Sequence, residues 1–489
     1  MTSAHNFMES WRIDLPGPAA ARWASLFFSL HVLTLLISVA ASQAFLAAAT
    51  LAYTVHLLRR VPASDGAGLG LAIRFPPIKL PLLLYCLTTV NSVLWAGDPS
   101  AGGFVLRKLV LFLILLLSVN LVTSARHLGA LFRGLFLVAG LAGLVGIAQF
   151  VIQYHEILRL HPGRVYFYMT LTRIHGFMGH WMNFGGQQML LFSLLLAFLL
   201  ASLSRRSPVL VIPALRPGAF GRQAANTGVQ TWTDVAPPLR GGDNTGDFYP
   251  LGLGGSPWAL GQDWRKKVLY GLLLAVVATS LILSFTRGVW LGCMVATVYL
   301  VWRWKPRALW AIPLLLVIVE LGAPTLIRRR ASMAFHPRED PALAIRLEMW
   351  GAGLRMVRKH PWVGVGAGNI PLIYTEYLPP GVTPVYGYHD HLHNNFLQLA
   401  AERGLPCLIA WLWFMLALGW HILRIRRRLP SGRWIADGAF AAWLAFITEG
   451  FFEFNFGTTP VLMVFLFVMS TPFVAEYLKR RAQEPSPAL

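Results

Sequence analysis

His389, His391 and His393 fall within five residues of the run Tyr388-His389-Asp390-His391-Leu392-His393-Asn394-Asn395. Imidazole takes up or releases a proton near neutral pH without special tuning. A neutral ring held by a neighbouring carboxylate such as Asp390, with His391 and Asn394 in support, can take a proton from an attacking hydroxyl. Two other readings of the run stand beside general-base chemistry. In an extended strand the three histidines would share one face, an arrangement that permits metal ligation. They can also be purely structural. Acidic residues are sparse in the connections on this side of the chain, and no Asp-x-Asp pair occurs there, which argues against a metal.

A second set of residues suits anion chemistry. Arg164, the stretch Arg173-Ile174-His175-Gly176-Phe177-Met178-Gly179-His180, the turn Ser284-Phe285-Thr286-Arg287-Gly288, and Arg346 all border apolar runs. Guanidinium grips phosphate oxygens in a forked, two-bond fashion and stays charged at every relevant pH. A diphosphate fits such a set, and if it departs as a leaving group the same arginines stabilise its developing charge. Each arginine has a plainer alternative as an interfacial side chain or the ion-pair partner of Glu449 or Glu453. Arg287 fits that alternative least well, because it sits at a sharp turn between two apolar runs.

The elements that must position these groups are helical and membrane-bound. Of 489 residues, 56% are hydrophobic and 13% charged, against about 25% charged in a typical soluble domain. Apolar runs long enough to cross a bilayer recur at 22–40, 42–58, 80–96, 104–123, 128–152, 183–203, 267–285, 288–303, 308–327, 405–423, 435–450 and 458–476. The expected fold is an all-α polytopic integral membrane protein with about twelve transmembrane helices. The alternating short segments of a β-barrel are absent. The first run is read as a true span, not a cleaved leader. Cys86, Cys293 and Cys407 lie inside expected spans and read as small core residues.

The formal net charge of +21 follows topology. With both termini in the cytoplasm, 27 of the 42 Lys and Arg fall on the cytoplasmic side and 15 outside. Arg303-Trp304-Lys305-Pro306-Arg307 and Arg426-Arg427-Arg428 make short connections dense in positive charge. Gly97 to Gly103 and Gly450 to Pro460 carry none. This positive-inside bias sets the orientation, and contact with anionic lipid accounts for the surplus without nucleic acid.

Five regions follow. Residues 1–203 hold spans one to six. Residues 204–266 form a cytoplasmic loop, whose first 62 residues contain 10 Gly and 7 Pro and read as a poorly ordered linker. Residues 267–327 hold spans seven to nine, 328–404 form a helical external segment, and 405–489 hold the last three spans and a cytoplasmic tail. In the external segment Asp340 can cap a helix with Pro341 at its first position. Leu343, Leu347, Trp350 and Leu354 then recur at helical spacing, and the helix ends near His360-Pro361. Gly364, Gly366 and Gly368 follow as a turn-rich connector. They resemble a phosphate loop only loosely, since no strand precedes them. A short helix begins at Asn394, with Asn394, Gln398 and Glu402 as its polar stripe, and Gly404 and Pro406 punctuate its end.

His393-Asn394, nine residues and then Gly404 resemble the His-Asn-x9-Gly signature of the O-antigen ligase family, which shares a domain with O-antigen polymerases. Arg173 with Gly176, and Thr286-Arg287-Gly288, look like that family's two membrane-edge arginine motifs. The stretch from Arg346 and Trp350 to His360-Pro361-Trp362-Val363-Gly364-Val365-Gly366 is similar to the segment before its histidine. The resemblance covers roughly residues 100–475 and is most specific over 340–404. It implies a glycosyltransferase of the inner membrane of a Gram-negative bacterium. Such an enzyme moves a glycan from undecaprenyl diphosphate to a sugar hydroxyl of the lipid A core at the periplasmic face, with inversion, no metal and no other cofactor. Carried over, His393 is the base, Arg173 and Arg287 hold the diphosphate, and Arg346 joins them. Leu405 to Ile409 lack the further Gly, Thr or Tyr that the ligase signature expects, and the long cytoplasmic insertion is unusual. Both departures keep open a polymerase with a growing glycan as acceptor. A twelve-helix transporter is the remaining alternative; unrelated halves and ionisable groups gathered at one membrane edge oppose it.

Overall fold

The computed structural model describes residues 18–60, 73–203, 264–322, 324–333, 341–384, 390–430 and 432–483. The expectations for the 204–266 loop up to residue 263, for Asp340 as a cap and for His389 lie outside the described residues. The regular elements are α1 (Ala19–Thr34), α2 (Val39–Arg60), α3 (Lys79–Leu94), α4 (Pro99–Leu121), α5 (Ala125–Leu160), α6 (Val165–Leu171), α7 (Trp181–Leu203), α8 (Trp264–Leu283), α9 (Arg287–Trp304), α10 (Ala311–Gly322), α11 (Thr325–Ser332), α12 (Pro341–Lys359), α13 (Asn395–Arg428), α14 (Arg433–Glu449) and α15 (Thr459–Arg481). No strand occurs among the described residues. In a bilayer core no water meets backbone N–H and C=O groups, so apolar runs satisfy them internally as helices.

Seven of these helices, α2, α4, α5, α7, α8, α13 and α15, are long and apolar enough to cross a membrane. The expectation of twelve spans is thus met in part. Runs 22–40, 80–96 and 435–450 become helices of 16, 16 and 17 residues. Run 308–327 breaks after the 12-residue α10, where Pro324 opens the separate eight-residue α11. Run 288–303 becomes the 18-residue α9, which carries polar ends. A sliding apolar window ignores the turns that shorten these helices, and about 20 residues are needed to cross 30 Å at 1.5 Å per residue.

The bundle closes around α15, whose most apolar stretch is 89% buried against 22% for α8. α14 lies against α7, α9, α13 and α15, while α3 packs on α13 and α1 on α2. The segment between α10 and α13 has a small core of its own. Met349, Ala352 and Met356 of α12 meet Val365, Ile370, Tyr374, Tyr377, Leu392 and Ala401.

That segment is keyed into the bundle through a kink. α13 leaves helical geometry at Gly404 (φ 83°, ψ 165°), and Pro406 follows with no N–H to donate. The Leu405 N–H turns away to the Pro361 carbonyl at 2.8 Å. The carbonyls of Ala401 and Glu402, which lose their helical donors, accept instead from Val365 N–H at 2.9 Å and Gly366 N–H at 3.0 Å. Ser92 Oγ adds a bond to the Glu402 carbonyl at 3.0 Å. The glycine-rich connector therefore completes the hydrogen bonding of a broken helix.

Candidate active site

Glu453 is the single ionisable residue in Phe451-Phe452-Glu453-Phe454-Asn455-Phe456, the turn between α14 and α15. It is buried, and its Oε1 lies 2.7 Å from His393 Nδ1 and 3.1 Å from His391 Nε2. The two imidazoles stand 4.1 Å apart, centroid to centroid. Arg346 Nη2 approaches the other carboxylate oxygen at 3.8 Å. Burial alone would raise the Glu453 carboxyl. The charge on His393, hydrogen bonds from His391 and His393, and the charge on His391 instead hold it well below the ordinary glutamate range. An ionised carboxylate only accepts hydrogen bonds, so each ring places an N–H on Oε1. A neutral His393 then carries its proton on Nδ1 and leaves Nε2 as the basic nitrogen.

Local structure holds His393 in this pose. Its φ of 47° lies in the left-handed region, which costs a non-glycine residue about 1–2 kcal/mol. On one side the Leu392 carbonyl accepts from Trp350 Nε1 at 3.0 Å, and the Leu392 N–H donates to Gln398 Oε1 at 2.8 Å. On the other, Asn394 caps α13 by accepting from the Leu397 N–H at 2.9 Å, and its amide reaches the Phe451 carbonyl at 3.0 Å. The Asn395 N–H donates to the Gly450 carbonyl at 2.8 Å. At roughly 1 kcal/mol each, these bonds offset the strain and fix the histidine segment against the Glu453 turn.

The other expected site residues fall as follows. His391 shares the carboxylate with His393. Asp390 is exposed, and the acid that meets both rings is Glu453, which the sequence offered only as an ion-pair partner for arginine. Asn394 serves the helix start. Arg173 lies with its guanidinium 4.0 Å over the Trp181 ring and donates from Nε to the Thr170 carbonyl. His180, next to Trp181, feels the charges of Glu453, His391, Arg173 and His393, so the Arg173 loop borders the imidazole–carboxylate cluster. Desolvation, the largest of these influences, lowers the pKa of His180. Arg287 opens α9, and a Cβ on Gly288 beside it would lie 3.6 Å from the side chains of Glu449 and Phe452. The beginnings of α7, α9 and α13 thus reach the same end of the bundle, where helix N-termini favour negative charge. Glu453 could have been noticed from sequence, as a lone acid among four aromatic neighbours.

His391, His393 and Glu453 also form a group able to hold a metal ion, with donor atoms within 4.8 Å of one another. The extended strand that the metal alternative called for is not formed over 390–394, which is a bent connection. Both ring nitrogens sit at hydrogen-bond distance from one carboxylate oxygen, a spacing that protons bridge directly.

Glu402 and Arg403, next to the kink, work elsewhere. Glu402 Oε1 accepts from the Gly368 N–H at 2.6 Å, its Oε2 lies 3.3 Å from Arg403 Nε, and Arg403 Nη1 donates to Tyr85 Oη at 2.6 Å. These buried groups pair with one another and with the glycine connector.

A multi-pass helical bundle that gathers a carboxylate-bound imidazole pair and arginines at one end defines the class: a polytopic α-helical membrane protein. Residues 272–412, from α8 into α13, match the family described as O-Antigen ligase. The matched stretch contains Arg287, Arg346 and His393; Arg173 and Glu453 lie outside it. No curated protein matches the chain.

Proposed function

We propose that this protein transfers a glycan from a lipid-linked diphosphate, undecaprenyl diphosphate, to a sugar hydroxyl at the external face of the bacterial inner membrane, with both termini cytoplasmic. The observation that carries the reading is the 2.7 Å contact between His393 Nδ1 and the ionised Glu453, in a chain whose residues 272–412 match the O-Antigen ligase family. His393 Nε2 takes the proton of the acceptor hydroxyl as its oxygen attacks the anomeric carbon. The bond from that carbon to the diphosphate oxygen breaks on the opposite face, so the anomeric configuration inverts. Arg173 and Arg287, with Arg346 beside Glu453, receive the developing charge. The chemistry needs neither metal nor other cofactor. The acceptor assigned is the lipid A core, which makes the enzyme a ligase; a growing glycan as acceptor would make it a polymerase.

The test uses full-length protein in liposomes with an undecaprenyl diphosphate-linked glycan and each acceptor in turn. His393→Ala should abolish transfer while expression and membrane insertion persist. Retained transfer would remove His393 from the chemistry, and product formed only on glycan ends would assign the polymerase.

A further inference from the structure

α11 carries Arg328-Arg329-Arg330, and two of these arginines reach the chain segments that bear Arg287 and Arg173. Arg330 is buried and donates from Nε to the carbonyl of Phe285 at 3.1 Å. Phe285 is fully buried with φ 52°, and its neighbour Thr286 is the extended residue from which Arg287 opens α9. An aromatic residue in the left-handed region costs on the order of 1–2 kcal/mol, so this turn persists only where its surroundings hold it. Arg329 lies with its guanidinium 4.4 Å over the ring of Tyr166 in α6. The end of α6 supplies the Thr170 carbonyl that accepts from Arg173 Nε at 2.8 Å. Leu326 and Ile327 of α11 pack in one cluster with Phe285, with Met169 of α6 and with Ile157 of α5.

We propose that Arg330 is a positioning residue for diphosphate binding. By holding the Phe285 carbonyl it fixes the turn that aims Arg287, and through Arg329 and Tyr166 the same helix sets where Arg173 stands relative to that turn. The inference rests on the reading that Arg173 and Arg287 hold a lipid diphosphate. Guanidinium–phosphate bonding is directional, so a displaced turn weakens the donor complex and leaves acceptor binding and proton removal alone.

The experiment compares Arg330→Gln, Arg330→Lys and Arg329→Gln in the full-length protein in liposomes, with undecaprenyl diphosphate-linked glycan as donor. Arg330→Gln should raise the donor KM roughly tenfold or more, the weight of a buried bond from a charged donor. Acceptor KM and the pH profile of kcat should stay as they are. Arg330→Lys should recover part of the loss, since an ammonium still donates to a carbonyl. The exposed Arg329→Gln should raise donor KM by roughly two- to fivefold without unfolding the protein, and so serves if Arg330→Gln does not fold. Donor and acceptor KM moving together would overturn the proposal, as would lower thermal stability with unchanged kinetics. If His393→Ala and Arg287→Lys keep full activity, the underlying functional reading fails. If they lose it while both α11 variants keep the donor KM, only the role of α11 falls.

Discussion

Glu453 and His393 are separated by 60 residues of chain and joined by a 2.7 Å hydrogen bond. The bond spans two structural units: the histidine closes the segment between α10 and α13, and the glutamate lies on the turn between the last two helices of the bundle. Docking the segment onto the bundle and completing the imidazole–carboxylate pair are therefore the same event.

Glu453→Gln should cut transfer by roughly 10²-fold or more while the protein stays folded. A glutamine is nearly the same shape but can turn its NH₂ toward His393, which then no longer has to carry its proton on Nδ1. Steady-state kcat with saturating donor measures the effect. Activity within twofold of the parent would mean that the carboxylate does not orient the ring.

The same carboxylate gives stability a defined acid limb. The pKa of Glu453 in the fold lies well below its ordinary value of 4.5, so on acidification the unfolded chain takes up this proton first. Its contribution is complete above about pH 4.5 and is lost as pH falls further, through the folded value. Thermal unfolding in detergent should show the gap between parent and Glu453→Gln narrowing as pH falls below about 4.5. A gap that narrows already between pH 7 and 5 would contradict the ionised, hydrogen-bonded carboxylate.

The local parts of this site are legible in sequence. A helix starting at Asn394, the helix from Pro341 to the residue before His360 and the break at Gly404 all follow from spacing and turn chemistry, and all appear in the structure, where Asn394 turns out to be the cap of its helix. The pairing across 60 residues is not legible, because nothing near His393 marks the turn that will meet it. Proximity in sequence favours Asp390, yet that side chain is exposed. The glycine connector is a similar case. Its composition reads as a turn, but its task of satisfying the Ala401 and Glu402 carbonyls depends on a kink about 40 residues downstream. Run length hides breaks for a related reason, as hydropathy registers the apolar stretch 308–327 and misses the turn at Pro324 that divides it.

Arg287→Lys should lower kcat/KM for the lipid donor by roughly 10- to 100-fold although the charge is kept. Ammonium is a point donor and cannot form the paired bonds that a guanidinium makes with phosphate oxygens. Near-normal turnover would leave Arg287 with a structural place at the start of α9.

Chelation decides between proton and metal chemistry at the same three side chains. Dialysis against EDTA should leave transfer unchanged, because protons bridge His391 and His393 to Glu453 at 3.1 and 2.7 Å. Lost activity restored by a divalent cation would assign the three groups to a metal and remove His393 as the base.

Gly364→Ala tests whether docking of the segment between α10 and α13 builds the site. Gly364 has φ 70°, and a Cβ there would lie 2.4 Å from the carbonyl carbon of Glu402 and 2.5 Å from the nitrogen of Arg403. Backbone atoms on both sides cannot yield as a side-chain end would. The left-handed backbone alone costs an alanine about 1–2 kcal/mol, and the contact adds to that. Relief requires the connector to lift from α13, which breaks the bonds from Val365 and Gly366 to the Ala401 and Glu402 carbonyls. His393 rides on the same docked segment, so the Glu453 contact loosens with it. The variant should insert into the membrane, lose kcat more than donor KM, and expose 361–369 to proteolysis that the parent resists. Gly351→Ala, where a Cβ would meet only the flexible Arg355 side chain at 3.5 Å, should behave like the parent. Equal effects from the two substitutions would show that the segment tolerates or suffers change generally, and that its seat on the kink does not assemble the site.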